Sequence, residues 1–128
     1  MAYKPAGYTA VSPYLSADDA HALKQFLVDA FDGEVLRIYE TEDGRIMHGE
    51  VRIGDSVIMF SQASPNWPAG KALLHLYVPD ANAAYARALA AGATEVQAPS
   101  EREGDPDRRG TFTDPFGNGW SVSHEVSG

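Results

Sequence analysis

The chain repeats itself, and the repeat limits its fold more than any single motif. Asp19 and Asp80, Ala20 and Ala81, and the pairs Glu34-Val35 and Glu95-Val96 recur at a constant offset of about 61 residues. Each copy follows the same local rules. An apolar-alternating stretch predicts a strand, an aspartate predicts a helix cap, and a glycine stops the helix. Three further strands follow, punctuated by turn residues. The order is β-α-β-β-β, twice, in one domain spanning residues 1–128, with modules at about 9–62 and 72–126.

In the first copy a strand is expected over Ala10–Leu15, with Val11, Pro13 and Leu15 on one face and Ser12 and Tyr14 on the other. Pro13 lacks an N–H, so this strand belongs at an edge or is interrupted. The residues before it, Met1–Thr9, read as an arm, either loose or reaching a partner subunit. Asp18-Asp19 caps a helix to about Phe31, with Leu23, Phe26, Leu27 and Ala30 on one face. Strands follow at Glu34–Glu40, Ile46–Ile53 and Ser56–Ser61, separated by Asp43-Gly44 and Gly54-Asp55. Gln62–Lys71, with Pro65, Trp67, Pro68 and Gly70, is the hinge. Trp67 there is either a buried staple or an exposed contact residue.

The second copy predicts a strand at Ala72–Val78 and a helix from Asp80 to Ala91. Strands are expected at Thr94–Ala98, Gly110–Asp114 and Trp120–Val126, with Pro99–Arg108 as a charged, solvated loop. Asp114-Pro115-Phe116-Gly117-Asn118-Gly119 is a turn that feeds the last strand.

The totals exclude several function classes. A net charge of −8 opposes binding to nucleic acid or anionic membranes, and it is compatible with a cationic ligand. No run of about 18 apolar residues suggests a membrane span. The start of the chain lacks the apolar core of a secretory signal, so a cytoplasmic location is the expectation. The absence of cysteine removes disulfides, thiolate metal ligands and a cysteine nucleophile. Neither a phosphate-binding glycine loop, a dinucleotide fingerprint nor a serine nucleophile elbow is present.

Three stretches resemble a known family. They are Pro13-Tyr14-Leu15-Ser16-Ala17-Asp18-Asp19, the run Met47–Met59, and the turn Asp114–Ser121. With the doubled β-α-β-β-β order, they are similar to the vicinal-oxygen-chelate superfamily of glyoxalases, bleomycin-resistance proteins and dioxygenases, and to its PhnB-like subgroup. The resemblance implies an α+β fold in which two βαβββ modules form a cup-shaped mixed sheet. Helices would cover the convex side, and ligand or metal would sit in the cup. It also implies a homodimer.

On that fold, alternation assigns the cup-lining set. It comprises Ser12, Tyr14, His48, Glu50, Arg52, Leu73, His75, Tyr77, Ser121, Ser123 and Glu125, with Trp67 as a further ligand-binding candidate. The family's metal enzymes carry a His or Glu ligand in each of four strands. Those positions carry over to Ser12, Leu73, Ile58 or Met59, and Ser121. None is a His, Asp or Glu, so no metal or other cofactor is expected at the usual site. The leading expectation is a metal-independent small-molecule binding protein that sequesters a cationic or aromatic, antibiotic-like ligand. The alternative is a glyoxalase-like lyase or isomerase, or another enzyme of the superfamily. Its catalytic candidates are His48, Glu50 and His75, used as an acid–base set or as a non-standard divalent-metal site. His21 and His124 are expected to be structural or surface residues.

Overall fold

A computed structural model describes residues 3–126 of the chain. The element order is β1 (Tyr14–Ala17), α1 (Ala20–Phe31), β2 (Glu34–Glu40), β3 (Ile46–Ile53), β4 (Ser56–Gln62), β5 (Leu73–Tyr77), α2 (Ala81–Ala90), β6 (Thr94–Glu101), β7 (Asp107–Thr113) and β8 (Gly119–Glu125). The strands form two four-stranded sheets, ordered β1-β4-β3-β2 and β5-β8-β7-β6. Each is mixed. β1 runs parallel to β4 and β5 parallel to β8, and the remaining pairs are antiparallel. The fold is therefore α+β, with one topology used twice. By compactness the chain divides into two units. One holds the chain up to Val28 with Asp32–Gly70, and the other holds Asp29–Phe31 with the chain from Lys71 onward.

In the first unit Asp19 caps α1, its side chain accepting from the Ala22 N–H. Gln62 at the end of β4 ties down the same turn, since its amide oxygen accepts from the Ala20 N–H. α1 buries Leu23, Phe26, Leu27 and Ala30. It ends at Asp32 in the left-handed conformation, φ 55°. The next residue, Gly33, passes so close that an added Cβ would lie 2.5 Å from Val51 Cγ1 and 3.0 Å from the Leu27 carbonyl. One face of this sheet is apolar and buried, with Leu15, Ala17, Val51, Ile53, Ile58 and Phe60. Gly49 leaves room there for the Phe60 ring, which an added Cβ would meet at 2.4 Å.

The expected β1 is corrected at its start. Val11 is 83% exposed and lies outside the strand, as does Ser12. The ladder opens at the Pro13 carbonyl, which accepts from the Met59 N–H at 2.9 Å. Pro13 can accept but cannot donate, so pairing begins after it. β1 is an edge strand, and its buried pair is Leu15 and Ala17.

In the second unit Asp80 caps α2 by accepting from the Asn82 and Ala83 N–H groups. The helix packs Ala81, Ala84, Tyr85 and Ala88 toward β6, β7 and β8. Trp120, Val122 and Phe112 supply the buried face of the sheet. His124 Nδ1 accepts from the Ala81 N–H, so this histidine serves the helix start. The charged loop expected over Pro99–Arg108 is shorter than that. β6 extends to Glu101 and β7 begins at Asp107, because Arg108 pairs with Glu101 and Arg109 lies opposite Ser100. Opposite charges facing each other across strands replace the apolar alternation that usually marks them.

The turn before β8 is held by one carboxylate. Asp114 is buried and accepts from the Phe116 N–H, the Asn118 N–H, the Asn118 side-chain amide and the Trp120 indole N–H. Asn118 in turn accepts from the Ala72 N–H at the start of β5.

Candidate functional site

Period-two alternation turns the polar side chains of each sheet to the face opposite the apolar one. In the first unit the register places Tyr14, Met59, Glu50 and Arg37 in one row across β1, β4, β3 and β2. The neighbouring pair is His48 opposite Tyr39. Tyr14 is 54% and Tyr39 51% exposed, whereas Glu50 is only 4% exposed. A buried carboxylate thus lies beneath a rim of solvent-facing aromatic rings.

Glu50 is fully engaged. Tyr8 Oη donates to Oε1 at 2.5 Å, and His48 Nε2 lies 2.8 Å from Oε2. Arg37 Nε sits 3.8 Å from Oε1. Burial alone raises a carboxyl pKa. Here the hydrogen bonds from Tyr8 and His48, the charge that His48 carries when protonated and the charge of Arg37 outweigh burial and hold Glu50 below its usual range. The same hydrogen bond pushes the Tyr8 hydroxyl pKa up. His48 also meets Tyr14, whose hydroxyl is 3.2 Å from Nδ1, and its ring centroid is 5.7 Å from that of Tyr14 and 6.2 Å from that of Tyr39. Tyr8 belongs to an arm laid along this sheet. Arg52 donates to the Gly7 carbonyl at 3.2 Å, and the Arg37 guanidinium lies 5.7 Å from the Tyr8 ring centre.

The second unit carries a more polar face. The rows are Leu73–Gly119–Thr113–Thr94, His75–Ser121–Thr111–Gln97 and Tyr77–Ser123–Arg109–Ser100. Tyr77 donates to buried Asp107 at 2.7 Å, which pushes the Tyr77 hydroxyl pKa up. Arg109 Nη1 and Nη2 reach Asp105 at 3.1 Å and Asp107 at 3.5 Å, and its Nε donates to Ser123. A shallow hollow of about 210 Å³ lies beside it, lined by Gln97, Ser100, Arg102, Asp105, Arg109 and Thr111. His75 meets Tyr77 edge to face at 4.9 Å, and Leu73 is 92% exposed.

The expected site residues therefore fall into two groups. Tyr14, His48 and Glu50 are joined by direct contacts, and Arg52 lies beside them, holding the arm. His75, Tyr77, Ser121, Ser123, Leu73 and Glu125 lie on β5 and β8 of the second sheet. Ser12 precedes β1. Trp67 is exposed, and its carbonyl accepts from Ser16 Oγ. Tyr8, Arg37 and Tyr39 were not among the expected residues, nor were Asp107 and Arg109. Arg37 and Tyr39 were within reach of the sequence. Equal steps outward from Asp43-Gly44 bring Tyr39 opposite His48 and Arg37 opposite Glu50.

The positions that bind metal in the resembled enzymes do not fit a cation here. Register decides between Ile58 and Met59: Met59 pairs with Tyr14 and Glu50, while Ile58 pairs with Val51 on the buried face. Ser12, Leu73, Met59 and Ser121 offer neither a carboxylate nor an imidazole. Among the described residues no group of three or more His, Asp or Glu is placed to hold a metal ion. Nor is any helix among them long and apolar enough to cross a membrane.

The chain matches the model of the Glyoxalase/Bleomycin resistance protein/Dioxygenase superfamily over residues 7–122. It belongs to that superfamily. A relative within reach by sequence is an uncharacterized protein of Mycobacterium bovis, 36% identical over 128 residues, covering 91% of this chain and 84% of the relative. Among solved structures, the fold is shared with TnmS3, an antibiotic binding protein from Streptomyces sp. CB03234. The TM-score is 0.70 at 22% identity, covering 98% of this chain and 99% of that one. The PhnB protein from Bacillus cereus shares it too, with a TM-score of 0.69 at 14% identity, covering 91% and 99%. As in other superfamily members, two βαβββ modules make the scaffold, so function must be argued from the side chains on the open faces.

Proposed function

We propose that this superfamily member is a small-molecule binding protein that takes an aromatic ligand, without a metal ion, on the open face of its first sheet. The observation that carries this reading is the ring set Tyr14–His48–Tyr39, with both tyrosines exposed and the histidine half-buried, above a buried, hydrogen-bonded Glu50. Rings left in water at a rigid sheet offer stacking surface at little entropic cost. The net charge of −8 favours encounter with a cationic aromatic compound. The antibiotic binding described for TnmS3 lends weight to an antibiotic-like ligand. The protein's place in the cytoplasm and its action as a homodimer remain part of this proposal.

Titration with planar aromatic and cationic natural products, followed by tryptophan fluorescence, tests it. Trp67 is exposed and its backbone is bonded to Ser16 on β1, so it reports on this face. Saturable quenching that weakens at least tenfold in Tyr14→Ala or Tyr39→Ala is the expected result. Silence across the panel would overturn the reading.

The hydrogen-bonded His48–Glu50 pair favours a second reading, an acid–base lyase or isomerase. That reading requires turnover insensitive to EDTA and lost in His48→Phe.

A further inference from the structure

The hydrogen bonds around Glu50 have a direction. An ionised carboxylate only accepts. Tyr8 donates to Oε1, so the contact at Oε2 must carry the His48 Nε2 proton. In its neutral form His48 then has its lone pair at Nδ1, where the Tyr14 hydroxyl 3.2 Å away is placed to donate to it. Every proton in the chain Tyr14–His48–Glu50 thus points inward. Its outermost atom, Tyr14 Oη, turns lone pairs toward solvent at a residue that is 54% exposed. Tyr39 flanks His48 on β2, while Arg37 and Tyr8 flank Glu50.

We propose that Tyr14, His48 and Glu50 form a proton-accepting relay for a weakly acidic O–H group, a phenol or enol, on the aromatic ligand. This rests on the binding reading above and narrows the ligand's chemistry. The ligand O–H donates to Tyr14 Oη. When it ionises, its proton passes to Tyr14 as the Tyr14 proton moves to His48 Nδ1. The products are a bound phenolate or enolate and an imidazolium paired with the Glu50 carboxylate. No oxidant, reductant or metal enters the balance, and the transfer reverses when the ligand leaves. Tyr14 and His48 are the groups that handle the proton. Glu50 and Tyr8 are positioning residues, fixing the tautomer that makes Nδ1 a base.

The probe is 4-nitrophenol, whose phenolate absorbs in the visible and whose neutral form does not. Binding to the full-length protein is followed by calorimetry, and ionisation by absorbance across pH. The expected result is that the bound dye ionises about one pH unit lower than the free dye, a tenfold rise in its ionised-to-neutral ratio. In His48→Phe, which keeps a ring at this position, whatever dye is bound should lose that shift. Tyr14→Phe, an exposed and structurally mild change, should reduce it. Dye bound without a shift overturns the relay and leaves aromatic binding standing. A shift that survives His48→Phe also overturns it, and assigns the effect to Arg37 or Arg52. Failure of the dye to bind removes the relay and counts against the binding reading as well.

Discussion

The two sheets share an order of strands and differ in what they show to solvent. Both apolar faces are built alike, from alternating aliphatic and aromatic residues such as Val51, Ile58 and Phe60 in one and Phe112, Trp120 and Val122 in the other. Both open faces also bury a carboxylate that accepts a tyrosine hydroxyl beside an arginine. In the first these are Glu50, Tyr8 and Arg37, and in the second Asp107, Tyr77 and Arg109. The resemblance ends there. Glu50 adds a histidine and exposed rings, whereas Asp107 shares Arg109 with Asp105 and Ser123, and a small polar hollow lies beside that arginine. Packing holds the covered faces to one chemistry, and the open faces are free to differ. The aromatic face is the better candidate for an organic ligand.

The sharpest contrast lies in the turns that precede the inner strands, β4 and β8. Asp114 gathers four donors in a buried site, while exposed Asp55 in the matching turn accepts from the Ser56 hydroxyl at 3.3 Å. Removing a buried carboxylate strands its donors, at a cost of about 3–5 kcal/mol. Asp114→Ala should therefore unfold at much lower denaturant than wild type, and Asp55→Ala should shift the midpoint by about 0.5 kcal/mol or less. Equal effects, measured by urea denaturation, would break the distinction between a turn that fixes its strand and one that merely connects.

Next come the two buried carboxylates. Glu50→Gln and Asp107→Asn each replace a charge-assisted acceptor with a neutral amide, and each should cost about 1–3 kcal/mol. Only Glu50→Gln should release the His48 tautomer, which nitrogen NMR of the imidazole ring reads directly. The pH dependence sharpens this. A folded-state pKa held below the ordinary value means stability that is present above the usual carboxylate range and lost as pH falls through the folded value. The double variant Tyr8→Phe, His48→Phe should therefore be less stable at neutral pH and lose less further stability on acidification than wild type, because its Glu50 carboxyl is no longer held below the usual range.

At the alkaline end the sign reverses. Tyr85 donates to Glu95, and burial followed by that hydrogen bond pushes its hydroxyl up to about 12. Stability from this group is complete below 10 and is lost as pH rises toward 12, on the order of 2 kcal/mol. Tyr85→Phe should flatten this part of the profile. An unchanged alkaline loss in that variant would assign it to Tyr8 and Tyr77, whose hydroxyls are also raised.

The repeat, the caps and the strands with clean alternation were legible from sequence, because each is a local rule. Glu34–Glu40 and Ile46–Ile53 lie between glycine-bearing turns and match the expected ranges. The start of β1 was not legible, since Pro13 joins the ladder through its carbonyl alone. The β6–β7 hairpin looked like a loop because charge pairing, not apolar alternation, holds its far end. His48 and Glu50 could be named from alternation, but their partner Tyr8 could not. It sits in an arm without periodicity, placed by a contact 42 positions away. Long-range placement of an aperiodic segment is what a single sequence conceals.

The smallest effect concerns how the two helices stop. α2 ends on Ala91 in an ordinary conformation, with the strained step left to Gly92 at φ 110°. α1 instead puts Asp32 in the left-handed region, φ 55°, the only non-glycine with positive φ among the described residues. Aspartate tolerates that region better than most residues but not as well as glycine. The unfolded chain gains freedom from an added glycine, which offsets part of the relief. Asp32→Gly should therefore stabilise the protein by at most about 1 kcal/mol. Its counterpart Ala91→Gly should destabilise by a similar amount, since Ala91 carries no strain to relieve. Thermal melts that moved both variants the same way would show that the two helix ends are held by the same means, and the comparison would lose its sign.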